Sequence, residues 1–398
     1  MEEPAPKKPK VTHDEVDGVT KLPPQELVSF VVPAHNASST IDDCLESICN
    51  ITYRPLEVAV YDDASTDDTF DKLQAWVPKC AAAGVTLHAI EKKKDTPGGA
   101  GYAKNRAAEV CTGAYFAFLD SDDMALPHRV DVQLAMAKDD PSVIVGANFT
   151  RIPEGSTWHY TAWANALTDE QLVLQQYRSD LHYIYTSPRP YETFRECTII
   201  MPTWFMAKAR FEFVGGFDEA KTSATIPEDL IFFLKHLELG GTLKKANDTL
   251  VIYRSTKQVG HVVAHVVVRK RRHSSGSVCS KLPRRVLLRT RLESFERRVL
   301  SQWPTFTIWG CGRDGKAVFN ELSSASKRKV VAFCDVNEKK IGTKHHDQVT
   351  RINIPIIHFR DAVPPIVCCV SMGRTDGELE ANVRSLNLVH GVNFWHFI

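Results

Sequence analysis

The stretch "FAFLDSDD", residues 116–123, places three carboxylates within four positions directly after an apolar run. An apolar run of this length is typical of a buried strand. Carboxylates this close repel one another and raise each other's pKa, so a positive group is normally needed to hold them together. Taken alone, the cluster is consistent with a metal site, with a solvated turn, or with an Asp that caps the next helix.

Two more polar loops follow apolar runs earlier in the chain, "PAHN" at residues 33–36 and "DDASTDD" at residues 62–68. Helix-type segments come after them, and "GGAGYAKNRAAEVC" is a glycine-rich entry into a further helix. Strands that alternate with helices indicate βαβ units and a parallel sheet, which binds ligands beyond the carboxyl ends of its strands. We therefore predict an α/β fold with a doubly wound, mostly parallel sheet whose binding edge carries all three loops.

Several segments resemble, in the right order, the GT-A fold of the family 2 inverting glycosyltransferases. They are "VSFVVPAHNASSTIDDCLESI", "VYDDASTDDT", "AKNRA", "FLDSDD", "FVGGFDE" and "PEDLIFFLKHLELGG", and the resemblance covers roughly residues 26–254. It implies transfer of a sugar from a UDP-sugar with inversion at the anomeric carbon. It also implies Mn²⁺ or Mg²⁺ as cofactor, because a hard divalent cation neutralises the charge on the departing diphosphate.

The resemblance implies roles for individual residues on the donor side. Asp122 is expected to contact the metal, and Asp120 the metal or the ribose. Asp62 matches the aspartate that hydrogen-bonds the uracil ring, and Asp63 is a weaker candidate for this role. For Asp123, the interpretation is that of a helix cap without a part in metal binding. The residues predicted to bind the nucleotide-sugar are Pro33, His35, Asp62, Lys104, Asp120, Gly215 and Gly216. Lys104 stands where the family often has Arg, and the alternative for it is a solvated helix lysine.

An inverting transfer also needs a carboxylate that takes the proton from the acceptor hydroxyl. The segment "PEDLIFFLKHL" places Glu228 and Asp229 at the start of a predicted helix, where the dipole favours negative charge. The resemblance assigns the base to Asp229, with Glu228 binding or supporting the acceptor. A plain N-terminal capping box is the alternative.

Residues 255–291 depart from the family pattern and become strongly basic after a first part without clear periodicity. Family members commonly carry a histidine after the "YR" pair that helps to close the metal site, and here only His261 or His265 could serve. The segment is open to three interpretations: an RNA-binding arm, a disordered loop, or an alternative-splice product that replaces family sequence.

The C-terminal part contains a second motif, "FTIWGCGRDGKAVFNEL", at residues 306–322. Gly310, Gly312 and Gly315 form a GxGxxG pattern after a predicted strand, and Asp335 ends the next strand. This is the dinucleotide fingerprint, and it makes an NAD-linked oxidoreductase the rival function. The same glycines also occur in purely structural Rossmann-like modules. We predict a tail at 1–25, a GT-A domain at 26–254, a basic linker at 255–300 and a smaller Rossmann-like domain at 301–398.

Composition restricts the class of protein further. The net charge of +1 gives no whole-protein field of the kind that marks nucleic-acid binders. Ten cysteines without a CxxC pair indicate reduced thiols rather than a zinc site or a disulfide framework. The sequence shows neither a signal peptide nor an apolar stretch near the roughly 18 residues of a membrane helix. These features predict a cytoplasmic protein with no membrane anchor and no obligate protein partner.

Outside residues 255–291, both parts of the chain also resemble the galactosyltransferases that modify queuosine in tRNA. This resemblance implies UDP-galactose as donor and the queuosine base of tRNA as acceptor. Two alternatives stay open beside the oxidoreductase: a UDP-N-acetylglucosamine-dependent transferase acting on a glycan or protein, and an inactive nucleotide-binding protein.

Overall fold

The computed structural model describes residues 25–91, 96–156, 158–176, 181–183, 192–194, 197–219, 226–255, 284–370 and 377–398. The strands are β1 (Val28–Ala34), β2 (Leu56–Asp62), β3 (Val85–Glu91), β4 (Tyr115–Phe118), β5 (Met124–Ala125), β6 (Val143–Ile152), β7 (Leu181–Tyr183), β8 (Glu192–Phe194), β9 (Phe205–Ala207), β10 (Thr242–Arg254), β11 (Phe306–Trp309), β12 (Val330–Asp335), β13 (Lys344–His346), β14 (Asn353–His358), β15 (Ile366–Cys368) and β16 (Phe394–His396). The helices are α1 (Ile41–Cys49), α2 (Thr69–Ala82), α3 (Ala100–Val110), α4 (Arg129–Ala137), α5 (Trp158–Ala166), α6 (Asp169–Gln176), α7 (Lys208–Val214), α8 (Glu228–Glu238), α9 (Arg284–Arg298), α10 (Arg313–Glu321), α11 (Ser324–Lys329) and α12 (Glu378–Ser385). Among the described helices, none has the length and apolar character needed to cross a membrane.

The first sheet has eight strands in the order β3-β2-β1-β4-β9-β6-β10-β5. The neighbours β3, β2, β1 and β4 are parallel, and so is the pair β6 and β10. Strand β9 runs antiparallel between β4 and β6, and β5 pairs antiparallel with β10. The predicted α/β class with a mostly parallel GT-A sheet is confirmed, and the carboxyl ends of β1, β2 and β4 meet at one edge.

Helices cover both faces of this sheet, so its central strands are apolar throughout. All seven residues of β1 are buried, as expected for a parallel strand packed on two sides. Phe30 and Val32 belong to one core cluster, and Val31, which points to the opposite face, belongs to another. Helix α1 confirms the predicted apolar spacing, because Ile41, Leu45 and Ile48 are buried along one stripe.

The second sheet has six strands in the order β13-β14-β12-β11-β15-β16. Helix α9, which precedes it, lies inside the range predicted as a basic linker. Leu288, Leu292 and Phe295 are buried on this helix, while Arg297 reaches Glu238 at the end of α8 with an N–O distance of 2.9 Å. The arginines of this segment therefore include those of a helix that packs beside α8. The division of the chain at residues 254 and 301 stays a prediction.

Candidate functional site

A cavity of about 550 Å³ opens at the edge where β1, β2 and β4 end. The loops "PAHN" and "DSDD" contribute to its wall, together with the starts of α3 and α8. Seven of the predicted site residues line this cleft: Pro33, His35, Lys104, Asp120, Asp122, Glu228 and Asp229. The fold thus brings together segments that lie almost 200 positions apart in the sequence.

The acidic cluster consists of Asp120, Asp122 and Asp123, whose carboxylate oxygens lie within 4.8 Å of one another. The backbone N–H of Asp123 donates to the carbonyl of Asp120 over 3.0 Å, so the cluster is folded into a tight turn. Asp123 is 1% exposed, and its Oδ2 has no hydrogen-bond partner among the described residues. A buried carboxylate oxygen without a partner, beside two further carboxylates, fits a bound hard cation. Asp123 is not the cap of the following helix, since α4 begins at Arg129 with His128 as its N-cap.

The cluster has unusual electrostatics. Burial raises the pKa of Asp122 to about 6, and the neighbouring charge of Asp120 adds to the effect. Burial also raises the pKa of Asp120 and, more strongly, that of Asp123. Lys104 opposes these shifts, because its Nζ lies 3.7 Å from Asp120 Oδ1 and its side chain is only 3% exposed. Lys104 is therefore not a solvated helix lysine but a buried positive charge at the cleft.

Two arginines that we did not predict support the cluster, and one of them, Arg254, also lines the cleft. Arg254, the last residue of β10, donates from Nε to the carbonyl of Asp122 over 3.0 Å, and its backbone N–H donates to Asp123 Oδ1 over 2.8 Å. Arg129 is fully buried and donates to the carbonyls of Phe118 and Trp204, which joins β4 to β9 just before the acidic turn. For Arg254, the "YR" pair at residues 253–254 was the only sequence feature that could have indicated a role at the site. No sequence feature indicated one for Arg129, because an arginine in a helix normally faces solvent.

We predict that replacing Arg129 with Met lowers the free energy of unfolding by about 3 kcal/mol, since several buried acceptors lose their donor. Urea denaturation measures this change. Lys138→Met, on the exposed end of the same helix, is the matched control and should change stability by less than about 0.5 kcal/mol. A loss below 1 kcal/mol for Arg129→Met would contradict this role.

The two aspartates that end β2 differ in position. Asp62 is 1% exposed, accepts a hydrogen bond from the backbone N–H of Ser65, and is not among the cleft-lining residues. Asp63 lines the cleft and accepts hydrogen bonds from the backbone N–H groups of Gly98 and Gly99 over 2.9 and 2.6 Å. His35 Nδ1 lies 2.8 Å from the carbonyl oxygen of Asp63. Asp63, the weaker candidate from the sequence, is therefore the aspartate that lines the cleft.

Gly215 and Gly216 lie outside the cleft lining and border a neighbouring depression beside Asn105. Both have positive φ, +93° and +68°, and Gly215 ends α7 in the left-handed conformation. A Cβ on Gly216 would come within 2.9 Å of Asn105 Oδ1. This geometry explains the two glycines through the backbone turn, and their contact with donor or acceptor stays a prediction.

The two carboxylates at the start of α8 differ in burial. Glu228 is 2% exposed, and its Oε2 has no hydrogen-bond partner among the described residues. Burial, followed by the charge of Asp229, raises the pKa of Glu228 to about 7. Asp229 is half-buried, and its charge acts on Asp120 across the cleft. The N-cap of α8 is Pro227, which makes no side-chain cap, so the alternative of a capping box is wrong.

Because Glu228 has a raised pKa, it makes folding pH-dependent in a predictable direction. The unfolded chain releases this proton near the ordinary value of 4.5 and the folded chain near 7, so stability falls as the pH rises between them. We predict that Glu228→Gln increases the free energy of unfolding at pH 8 by on the order of 2 kcal/mol, and by much less at pH 4.5. Urea denaturation in EDTA at both pH values tests this, and an equal effect at both would contradict it.

Comparisons with known proteins agree with this site. Residues 29–209 match the family model described as "Glycosyl transferase family 2". The chain is 25% identical over 236 residues to Glycosyltransferase GlyG of Streptococcus pneumoniae, covering 58% of this chain and 71% of that protein. It is 39% identical over 117 residues to Chondroitin synthase of Escherichia coli, covering 29% of this chain and 16% of that protein.

Two further similarities concern proteins whose names state a UDP-sugar. Over 109 residues the chain is 36% identical to the UDP-Glc:alpha-D-GlcNAc-diphosphoundecaprenol beta-1,3-glucosyltransferase WfaP of Escherichia coli, covering 27% of this chain and 40% of that protein. The chain thus spans less than half the length of two of these three relatives. A solved structure of S. aureus TarS 1–349 in complex with UDP-GlcNAc superposes with a TM-score of 0.43 at 14% identity, covering 77% of this chain and 84% of that one. The family match, which covers residues 29–209 and so less than half of the chain, includes the loops after β1, β2 and β4 and the acidic cluster.

Proposed function

We propose that the chain is a metal-dependent, inverting glycosyltransferase that uses a UDP-sugar. The observation that carries this proposal is that Asp120 and Asp122 of the acidic cluster line one cavity together with Glu228 and Asp229. Asp120, Asp122 and Asp123 would hold Mn²⁺ or Mg²⁺, which when bound would neutralise charge on the diphosphate leaving group. The oxygen-only donor set and the unsatisfied Asp123 Oδ2 fit such a cation.

The chain's own residues account for the other tasks in this proposal. Lys104 adds a buried positive charge beside Asp120, where a phosphate would bring further negative charge. Pro33, His35 and Asp63 form the part of the wall that would receive the nucleoside, and Asp62, next to Asp63 in the chain, is buried. Asp63, held by two backbone N–H groups, is positioned rigidly enough to accept a hydrogen bond from a base.

Asp229 would accept the proton of the acceptor hydroxyl as that oxygen attacks the anomeric carbon. Its place at the first turn of α8 and its contact with the cleft give it access to an acceptor in the same cavity. Glu228 is more deeply buried and would support the acceptor side. Since the family match ends at residue 209, the roles of both carboxylates rest on geometry and on the resemblance described above.

For the substrates we propose galactose as the transferred sugar and the queuosine base of tRNA as the acceptor, which would place the enzyme in the cytoplasm. This part rests on the resemblance of both chain segments to the queuosine galactosyltransferases. A glycan acceptor is the alternative, and it is favoured by the similarity to WfaP, which is named as a β-1,3-glucosyltransferase. Both alternatives use the same donor chemistry and differ in the acceptor.

The experiment is UDP release from UDP-galactose and UDP-N-acetylglucosamine with Mn²⁺, in the presence of queuosine-containing tRNA, the same tRNA with guanine at that position, or a lipid-linked N-acetylglucosamine. Release that needs one sugar and the queuosine tRNA supports the full proposal. Release only with the glycan acceptor overturns the acceptor and keeps the reaction class. Metal-dependent UDP binding without release for any acceptor would favour an inactive nucleotide-binding protein.

A further inference from the structure

A second cavity, of about 400 Å³, lies in the C-terminal sheet and shares no lining residue with the cleft. It is found beyond the carboxyl ends of β11, β12 and β15, and its wall includes Gly310, Gly312, Asp335, Lys340 and Val370. The proposed sugar transfer makes no use of it. This volume lies in the lower part of the range of small-molecule sites, roughly 300–1,000 Å³.

The strand order places this cavity at a point where the direction of the chain reverses. Strand β11 is central; the chain continues from it to β12 and β14 on one side and then returns to β15 and β16 on the other. Strands β12, β11 and β15 are parallel neighbours, so their carboxyl ends open at the same edge. In open parallel sheets, the crevice at such a reversal is where ligands bind.

The three glycines of the GxGxxG motif are under different structural constraints. Gly310 has a φ of +105°, and a Cβ there would come within 2.8 Å of Val370 Cγ2. A Cβ on Gly315 would lie 1.8 Å from the carbonyl oxygen of Gly310, so this glycine allows α10 to approach β11. Gly312 has an ordinary φ of −96°, and no heavy atom of the described residues would lie within 4 Å of its Cβ. The fold itself does not require glycine at 312, whereas a ligand that approaches the loop backbone would.

Charged side chains at the cavity edge complement a nucleotide. Asp335 Oδ2 accepts hydrogen bonds of 3.0 Å from the backbone N–H of Cys311 and from Lys340 Nζ, and Oδ1 accepts one from the N–H of Asn337. The carboxylate is thereby fixed at the end of β12 and retains acceptor capacity toward hydroxyl donors such as a ribose diol. Lys340 supplies a positive charge at the same wall, next to the N–H groups that begin α10.

We propose that this crevice is a second nucleotide site, independent of metal, which binds a nucleoside diphosphate, either free or as one half of a dinucleotide. The ribose diol would meet Asp335, and the diphosphate would lie over Gly312 beside Lys340. This assignment stands on the C-terminal sheet alone and holds whether or not the proposed sugar transfer is correct.

The test is calorimetric titration of the full chain with ADP, UDP and NAD⁺ in separate experiments, each with Mn²⁺ and again with EDTA. We expect a binding event that persists in EDTA and in the variant Asp122→Asn. Gly312→Val, whose Cβ would meet no heavy atom of the described residues, should weaken this event at least tenfold while leaving UDP-sugar turnover unchanged, and the loss of a favourable N-cap should lower the melting temperature only slightly. Lys340→Gln is a second variant and should weaken it in the same direction.

Each outcome decides the proposal. Tightest binding of NAD⁺ identifies the ligand as a dinucleotide, and equal or tighter binding of ADP or UDP identifies a free nucleotide. The proposal is overturned if none of the three ligands binds in EDTA at about 1 mM, which would mean that each Kd lies above about 1 mM. It is also overturned if Gly312→Val and Lys340→Gln both bind as the wild type does. If the wild-type chain transfers no sugar but still binds a nucleotide in EDTA, the proposed function is rejected and the second nucleotide site is kept.

Discussion

Replacing Asp229 with Asn is expected to lower the rate of sugar transfer by about 10³-fold, within the roughly 10² to 10⁴ that a positioned base contributes. Asn has the shape of Asp but cannot accept the proton of the acceptor hydroxyl at neutral pH. Because the proposed donor contacts are Asp63, Lys104 and the acidic cluster and do not include Asp229, donor binding should be nearly unchanged. The measurement is steady-state UDP release, with kcat and the KM for the UDP-sugar determined separately.

Asp248→Asn, an exposed substitution on β10, is the matched control and should retain full activity. A rate for Asp229→Asn within tenfold of the wild type would mean that another group accepts the proton. Glu228 would then be the next candidate, because it lies in the same cavity and the charge of Asp229 helps to raise its pKa.

The second large effect is expected at Asp122. Its replacement by Asn should weaken Mn²⁺ binding at least 100-fold and abolish most of the activity, because a hard cation loses a charged oxygen ligand. Wild-type Mn²⁺ binding should itself weaken as the pH falls below about 6, by about tenfold per pH unit for each proton that the metal must displace. Above that pH the carboxylate of Asp122 is already ionised, so the affinity should become independent of this group.

Mn²⁺ binding can be measured by electron paramagnetic resonance of the free ion at pH 5, 6 and 7.5. Asp139→Asn, an exposed substitution shortly after α4, serves as the control. Unchanged Mn²⁺ affinity in Asp122→Asn would remove Asp122 from the ligand set and leave Asp120 and Asp123 as the remaining candidates.

The sequence by itself determined the elements that repeat a simple pattern. Apolar runs ended by polar loops located β1, β2 and β4, and the helical spacing of Ile41, Leu45 and Ile48 located α1. These signals are local, since burial on two faces requires continuous apolar residues in a strand and one apolar stripe in a helix. The convergence of the three loops at one edge followed from the parallel order of the strands.

Only the tertiary structure decided which of the adjacent residues Asp62 and Asp63 lines the cleft, and which arginines support the acidic turn. Asp62 and Asp63 are adjacent, and adjacent side chains of a strand point to opposite faces, so the pair alone did not reveal that Asp63 lines the wall. Arg129 and Arg254 reach the turn from α4 and β10, at sequence separations at which no local pattern operates. The same holds for Glu228, whose raised pKa comes first from burial, which no local pattern indicated, and only then from the charge of the adjacent Asp229.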